Sequence, residues 1–222
     1  MFSGFRDRAE AGRALAERLV EYARRPDLVV LALPRGGVPV AFELARVLGA
    51  PLDVFTVRKL GVPGYEELAM GAVAPGGVLV LNTNVVRGLR LTEADVASVA
   101  ERELRELERR ERAYRGGRAP LEVRDRTVLL VDDGLATGAS VRVAVAALRH
   151  MRPAGIVVAA PVAASETCEE LRKKLGVRCV CVLTPHPFGS VGRWYDDFTQ
   201  TTDEEVRGLL ARAARPHGRR AA

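Results

Sequence analysis

Short apolar runs alternate with amphipathic segments along most of the chain. Leu28 to Leu33, Leu52 to Val57, Thr127 to Val131, Gly155 to Ala160 and Arg178 to Leu183 are rich in Val and Leu. Their unbroken apolar character predicts strands covered on both faces. Between them, Arg8 to Arg24, Val38 to Leu48, Ser140 to Met151 and Ser165 to Leu175 carry apolar residues at helical spacing. A last helix is expected over Glu204 to Ala214, after the cap candidate Asp203. Alternation of this kind specifies an α/β fold in which helices wrap a parallel sheet.

Two stretches break the alternation. Arg58 to Gly77 contains Gly61, Pro63, Gly64, Pro75, Gly76 and Gly77, which reads as a mobile loop over 58–77 that returns through a sixth strand, Val78 to Leu81. Thr92 to Arg115 is a charged helix opened by a capping box, with Asp95 as a shorter stand-in for the usual Glu. Its pairs Glu101 with Arg105, Glu106 with Arg110 and Glu108 with Arg112 fall one turn apart. The stripe Val96, Val99, Leu104 and Leu107 is expected to dock on the body or on a second subunit.

Composition narrows the class. The 222 residues are 48% hydrophobic and 28% charged, enough to bury one core across residues 1–222 and too apolar for disorder. The net charge of +6 is spread along the chain and interleaved with Glu, apart from the tail Arg215 to Arg220, so anionic small molecules account for it as well as nucleic acid does. Only three of the 34 basic residues are lysines, and no function follows from that skew. Cys168, Cys179 and Cys181 show no paired spacing, so neither a zinc site nor a disulfide framework is indicated, and Cys179 with Cys181 reads as two small side chains on one strand face. Met1 to Arg8 lacks an apolar core of signal-peptide type, and no stretch reaches the roughly 18 apolar residues of a membrane span. A cytoplasmic protein is expected.

The candidate chemistry is concentrated in Thr127 to Ser140, which reads TVLLVDDGLATGAS: an apolar strand, two acids, a small-residue loop, then a helix. Consecutive amides at a helix N-terminus cradle anions, Gly138 and Ala139 permit close approach of a phosphate, and Thr137 and Ser140 add hydroxyls. Two carboxylates, Asp132 and Asp133, at the end of a buried strand demand polar company such as ribose hydroxyls and a divalent cation. The alternative from spacing alone is a strand-to-turn junction in which Asp133 caps a bend.

This segment resembles the phosphoribosyl-pyrophosphate signature of the type I phosphoribosyltransferases, and the resemblance extends from Leu28 to Phe198. It implies sheet order 3-2-1-4-5-6 with the third strand antiparallel, the place given to Val78 to Leu81, plus a small C-terminal hood over 184–202. It further implies that Asp132 and Asp133 hold the ribose hydroxyls and Mg²⁺. The stretch Asp132 to Ser140, including Gly134, Leu135 and Ala136, would bind the phosphoribosyl group, with the 5′-phosphate on Ala136 to Ser140. Arg35, Gly36 and Gly37, after the first strand, would bind pyrophosphate. Arg58 and Lys59 would open the flexible catalytic loop and neutralise the departing pyrophosphate.

The implied reaction is displacement at the anomeric carbon of 5-phosphoribosyl-1-pyrophosphate by a heterocyclic, purine-like base. For the acid or base the signals diverge. Ala136 stands where hypoxanthine-guanine enzymes carry an Asp, and the form is closer to adenine enzymes, whose acid comes from the mobile loop. Glu66 and Glu67 are placed for that role or are plain solvated residues. Val191 to Asp196 resembles the hood segment of hypoxanthine-guanine enzymes, making Asp196 a metal or acceptor ligand. Trp194 there is either a base-stacking ring or core packing. His186 reads as a surface loop residue.

Three functions compete: a base-ribosylating enzyme, a ligand-sensing regulator that binds nucleic acid, RNA included, and a pyrophosphokinase-like or phosphatase role on the same sugar phosphate. The retained Lys59 and loop favour the enzyme. Nucleic acid and membrane are not the expected partners, and a homodimer follows the family's habit.

Overall fold

The computed structural model of the chain describes residues 4–214; the basic tail 215–220 lies outside them. In chain order the elements are α1 (Arg8–Glu17), β1 (Leu28–Ala32), α2 (Gly37–Leu48), β2 (Leu52–Val54), β3 (Arg58–Val62), β4 (Tyr65–Ala74), β5 (Val78–Leu81), α3 (Thr83–Gly88), α4 (Glu93–Arg115), β6 (Thr127–Val131), α5 (Ala139–His150), β7 (Gly155–Val162), α6 (Ser165–Leu175), β8 (Arg178–Leu183) and α7 (Asp203–Ala213).

Five strands form one parallel sheet in the order β2-β1-β6-β7-β8. Its central strands are apolar on both faces because both are covered. Leu28, Val30 and Ala32 join a core shared with α1, α2 and α7, whereas Val29, Leu31 and Leu33 join one shared with α5 and α6. That period-two division of an unbroken apolar run is what a doubly covered strand requires. The first predicted helix is shorter than expected: α1 stops at Glu17 and the chain continues through a 3₁₀ turn at Val20–Tyr22.

The segment 58–77 differs from the irregular loop expected. It is mostly a hairpin, β3 against β4, which with β5 makes a separate antiparallel sheet ordered β3-β4-β5. Val78–Leu81 therefore pairs with β4 and not with the parallel sheet. The physical reason lies in Leu60, Val62, Met70 and Val73, which are buried together under Val96, Val99 and Leu107 of α4. One of the glycines that suggested a loop, Gly61, is a strand residue at a crowded crossing: a β-carbon there would lie 2.6 Å from the Glu66 carbonyl oxygen. Gly64, at φ +78°, marks the β3–β4 turn, and Gly76 and Gly77, at φ +78° and +73°, mark the turn from β4 to β5.

Helix α4 begins with the expected capping box between Thr92 and Asp95, and its three predicted Glu–Arg pairs form. Its apolar stripe docks on the small sheet. Its last turn is tied to β2 by a buried cluster in which Arg115 Nε donates to Asp53 Oδ2 at 2.9 Å and Nη1 to Glu111 Oε2 at 2.8 Å. Burial pushes the Glu111 carboxyl above its ordinary range despite the adjacent Arg115 guanidinium. Removing one member of such a cluster leaves uncompensated charge, which costs about 3–5 kcal/mol. Arg115→Met is accordingly expected to lower the unfolding free energy by about that amount in urea titrations followed by circular dichroism. A loss well under about 1 kcal/mol would show that the cluster does not hold α4 in place.

Candidate active site

The strand order reverses at β1, whose neighbours β2 and β6 lie on opposite sides. In open α/β sheets the crevice beyond the strand ends at such a switch point is where ligands are held. Two loops meet there. The first leaves β1 through Pro34 and Arg35, joined by a cis peptide bond, and enters α2 at Gly36 and Gly37. The second leaves β6 through Asp132 and Asp133 and enters α5 at Gly138, which sits at φ +66° and offers no side-chain cap. The first amides of α5 are thus left facing the loop, the arrangement that suits a phosphate.

The two loops touch. A β-carbon on Gly36 would collide with Asp133 Oδ2, and one on Gly37 would stand 2.7 Å from the Val131 carbonyl oxygen. Glycine at both positions lets the first loop lie against the acidic tip of β6.

Asp132, Gly134, Leu135, Ala136, Thr137, Gly138, Ala139 and Ser140 line one cavity of about 180 Å³, joined by Val141 and Val191. Burial, reinforced by the charge of Asp133, raises the Asp132 carboxyl well above its ordinary value. Its Oδ1 accepts from the Asp133 amide at 2.9 Å. Burial also raises Asp133, against the pull of Arg8, whose Nε donates to Asp133 Oδ2 at 2.9 Å with both side chains largely covered. The Arg8 guanidinium in turn lies 4.1 Å from the centre of the Phe198 ring.

Arg35 and Arg58 line a second cavity of about 320 Å³ together with Thr56, Arg109, Arg110 and Tyr114. Four guanidinium groups and one carboxylate, Asp203, line it, with Arg35 3.7 Å from Asp203, and the buried Thr56 hydroxyl on its wall has no hydrogen-bond partner among the described residues. Arg58 is held by Glu103 at 2.5 Å. Lys59, Glu66 and Glu67 line a third cavity, of about 380 Å³, on the hairpin, and Arg58 borders that one as well. Lys59 Nζ reaches Glu67 Oε2 at 3.4 Å in the open. Neither glutamate lines the cavity of Asp132 and Ser140.

The hood residues fall differently. Trp194 donates from Nε1 to the Phe188 carbonyl at 3.0 Å and packs with Phe5, Val191 and Tyr195, so its contacts are those of core packing. Asp196 is exposed, its amide donates to the Phe5 carbonyl, and no contact joins it to Asp132 or Asp133 among the described residues. His186 is exposed.

Four residues of the site are not among the candidates named from the sequence. Arg8 reaches Asp133 from α1, and Tyr195 donates from its hydroxyl to the Asp133 carbonyl at 2.6 Å. Val191 closes the cavity of Asp132 and Ser140. Thr167 donates from Oγ1 to the Ala136 carbonyl at 2.5 Å, and its methyl would lie 2.7 Å from a β-carbon on Gly138. No local motif marks Arg8 or Thr167, because each acts across a long sequence gap, whereas Val191 and Tyr195 belong to the hood segment without their own contacts being legible there.

The fold and this pair of loops define an α/β domain with an acidic strand tip beside a helix N-terminus at the sheet's switch point. The chain belongs to the phosphoribosyl transferase domain family, whose model matches residues 6–192. Two Mycobacterium tuberculosis proteins provisionally named phosphoribosyl transferases are 46% identical over 211 residues, 95% of this chain. The chain spans 47% of the length of those relatives. The crystal structure of TT1426 from Thermus thermophilus is similar at 43% identity and a TM-score of 0.82, covering 95% of this chain and 99% of that one. A hypothetical protein from Neisseria gonorrhoeae, solved with bound ppGpp, shares the fold at 14% identity and a TM-score of 0.50, over 96% of both chains.

Arg8 stabilises the ionised form of Asp133, so its removal has a definite sign. In Arg8→Gln the Asp133 carboxyl is expected to titrate at higher pH than in the parent, observed by carbon-detected NMR of the side-chain carboxyl. An unchanged midpoint would show that the contact carries no electrostatic weight.

Proposed function

We propose that this chain is a phosphoribosyltransferase that takes 5-phosphoribosyl-1-pyrophosphate, with Mg²⁺, and transfers its phosphoribosyl group to a nitrogenous, purine-like base with release of pyrophosphate. The observation that carries the reading is the apposition of two raised carboxyls to an uncapped helix N-terminus at the sheet's switch point. Family membership and the names of the two Mycobacterium tuberculosis relatives support it.

In this reading the amides and hydroxyls of Ala136 to Ser140 hold the 5′-phosphate, and the acidic pair accepts from the ribose hydroxyls. The leaving pyrophosphate faces the guanidinium groups of Arg35 and Arg58, with Arg109 and Arg110 added from α4. The acidic tip suits a hard cation by its oxygen donors, and the Asp132 carboxyl accepts only a backbone amide among the described residues. Asp132 and Asp133 would hold Mg²⁺, which supplies charge neutralisation for the phosphates and hydroxyls it binds. The remaining work of the chain is to position the sugar and stabilise charge at an anomeric carbon of oxocarbenium character.

A cavity of about 390 Å³ lies beyond Arg8, lined also by Asp7, Pro39, Asp197, Thr199 and Glu205. It borders the acidic tip through Arg8 and is the place given to the acceptor. Lys59 and either Glu66 or Glu67 would serve from the hairpin. The reading carries a cytoplasmic homodimer in nucleotide salvage with it; no helix among the described residues is long and apolar enough to cross a membrane.

Calorimetry with the activated sugar is expected to show binding that depends on Mg²⁺, and Asp133→Asn to weaken it tenfold or more, about 1.4 kcal/mol. Pyrophosphate release across a panel of bases identifies the acceptor. Absence of Mg²⁺-dependent binding, or Asp133→Asn leaving it intact, overturns the proposal. Tight binding with no release from any base, joined to salt-sensitive RNA binding, favours the regulator instead.

A further inference from the structure

The three cysteines, unremarkable in sequence, converge in space. Cys179 and Cys181 alternate along β8, and Cys168 meets them from the first turn of α6. The Sγ atoms of Cys168 and Cys179 are 3.0 Å apart, those of Cys168 and Cys181 3.3 Å, and those of Cys179 and Cys181 3.8 Å. All three are free thiols and half-buried. They flank the apolar core that contains Leu171 and Val177, on the outer strand of the sheet. No His, Asp or Glu completes the group among the described residues. Spacing along the chain argued against a metal site because ligands close in sequence are missing; Cys168 arrives from the preceding helix.

A donor set made of sulfur alone selects soft ions, copper(I) and zinc foremost. Structural zinc takes four protein ligands in a tetrahedron, and only three are present among the described residues. A disulfide would use two of the thiols and leave the third outside. With metal–sulfur bonds of about 2.3 Å, three sulfurs around one ion in a plane lie roughly 4 Å apart. The observed triangle needs only a small outward adjustment of side chains at a half-buried edge.

We propose that Cys168, Cys179 and Cys181 form a three-sulfur site for a soft monovalent d¹⁰ cation, copper(I). Three S–H bonds lose their protons to solvent as three metal–sulfur bonds form, and no electron is transferred. The site stands outside the sugar-phosphate crevice and does not depend on the function proposed for it.

The test is a titration of the reduced full chain, without oxygen, with copper(I) buffered by a chromophoric chelator. One equivalent is expected to bind, with a sulfur-to-copper charge-transfer band in the ultraviolet and X-ray absorption showing three sulfurs at about 2.3 Å. Cys168→Ser and Cys179→Ser are each expected to weaken binding more than about tenfold. Stoichiometric binding that survives Cys168→Ser, or no binding beyond that of a variant with all three cysteines replaced by serine, overturns the proposal. So does zinc(II) displacing copper(I) at equal concentration. If a serine variant does not fold, alkylation of the native thiols decides the matter: one equivalent of copper(I) protecting all three supports the site, and unchanged labelling refutes it.

Discussion

The site depends on how closely the loop after β1 can approach the tip of β6. Gly36 sits where any side chain would strike the Asp133 carboxylate, and Gly37 where one would crowd the last carbonyl of the strand. Because backbone meets carboxylate without an intervening side chain, two loops from separate βα units lie directly against each other at the switch point. Everything else in the crevice is arranged around that contact. The raised carboxyls of Asp132 and Asp133 follow from it, since the approaching loop excludes water from the acidic tip.

The surrounding structure reinforces this geometry from several directions. The parallel sheet aligns β1 and β6 in register from Leu28 against Thr127 to Ala32 against Val131, so the two strands end level. Arg8 comes from α1 and Tyr195 from the segment before α7, one holding the side chain of Asp133 and the other its carbonyl. Helix α4 lends two arginines to the cavity beside Arg35, and its buried tie to Asp53 fixes it against the end of β2. Helix α4 is thereby a wall of that cavity as well as a cover for the small sheet.

The fold was legible in the sequence wherever one physical rule acted alone. Five apolar runs became five parallel strands, and the Thr92 cap and the one-turn ion pairs appeared where spacing put them. The acidic pair and the glycine loops were legible because each is a local pattern with a local chemical purpose. Legibility ended where glycine served packing and not turning. Gly61 lies inside a strand because a neighbouring backbone passes within 2.6 Å of its missing β-carbon, yet in sequence it looks like punctuation. It ended again for contacts made at a distance: Arg8 and Asp133 are separated by 125 positions, and the thiol of Cys168 lies a helix and a turn away from its partners.

Thr167 is the strut beneath the loop between β6 and α5, donating to the Ala136 carbonyl while its methyl fills the space beside Gly138. Its next residue is Cys168, one corner of the sulfur triangle. A single peptide bond therefore connects the floor of that loop to the thiol cluster. Any displacement of the helix turn they share is transmitted to both, and the two ends of that turn are mechanically one part.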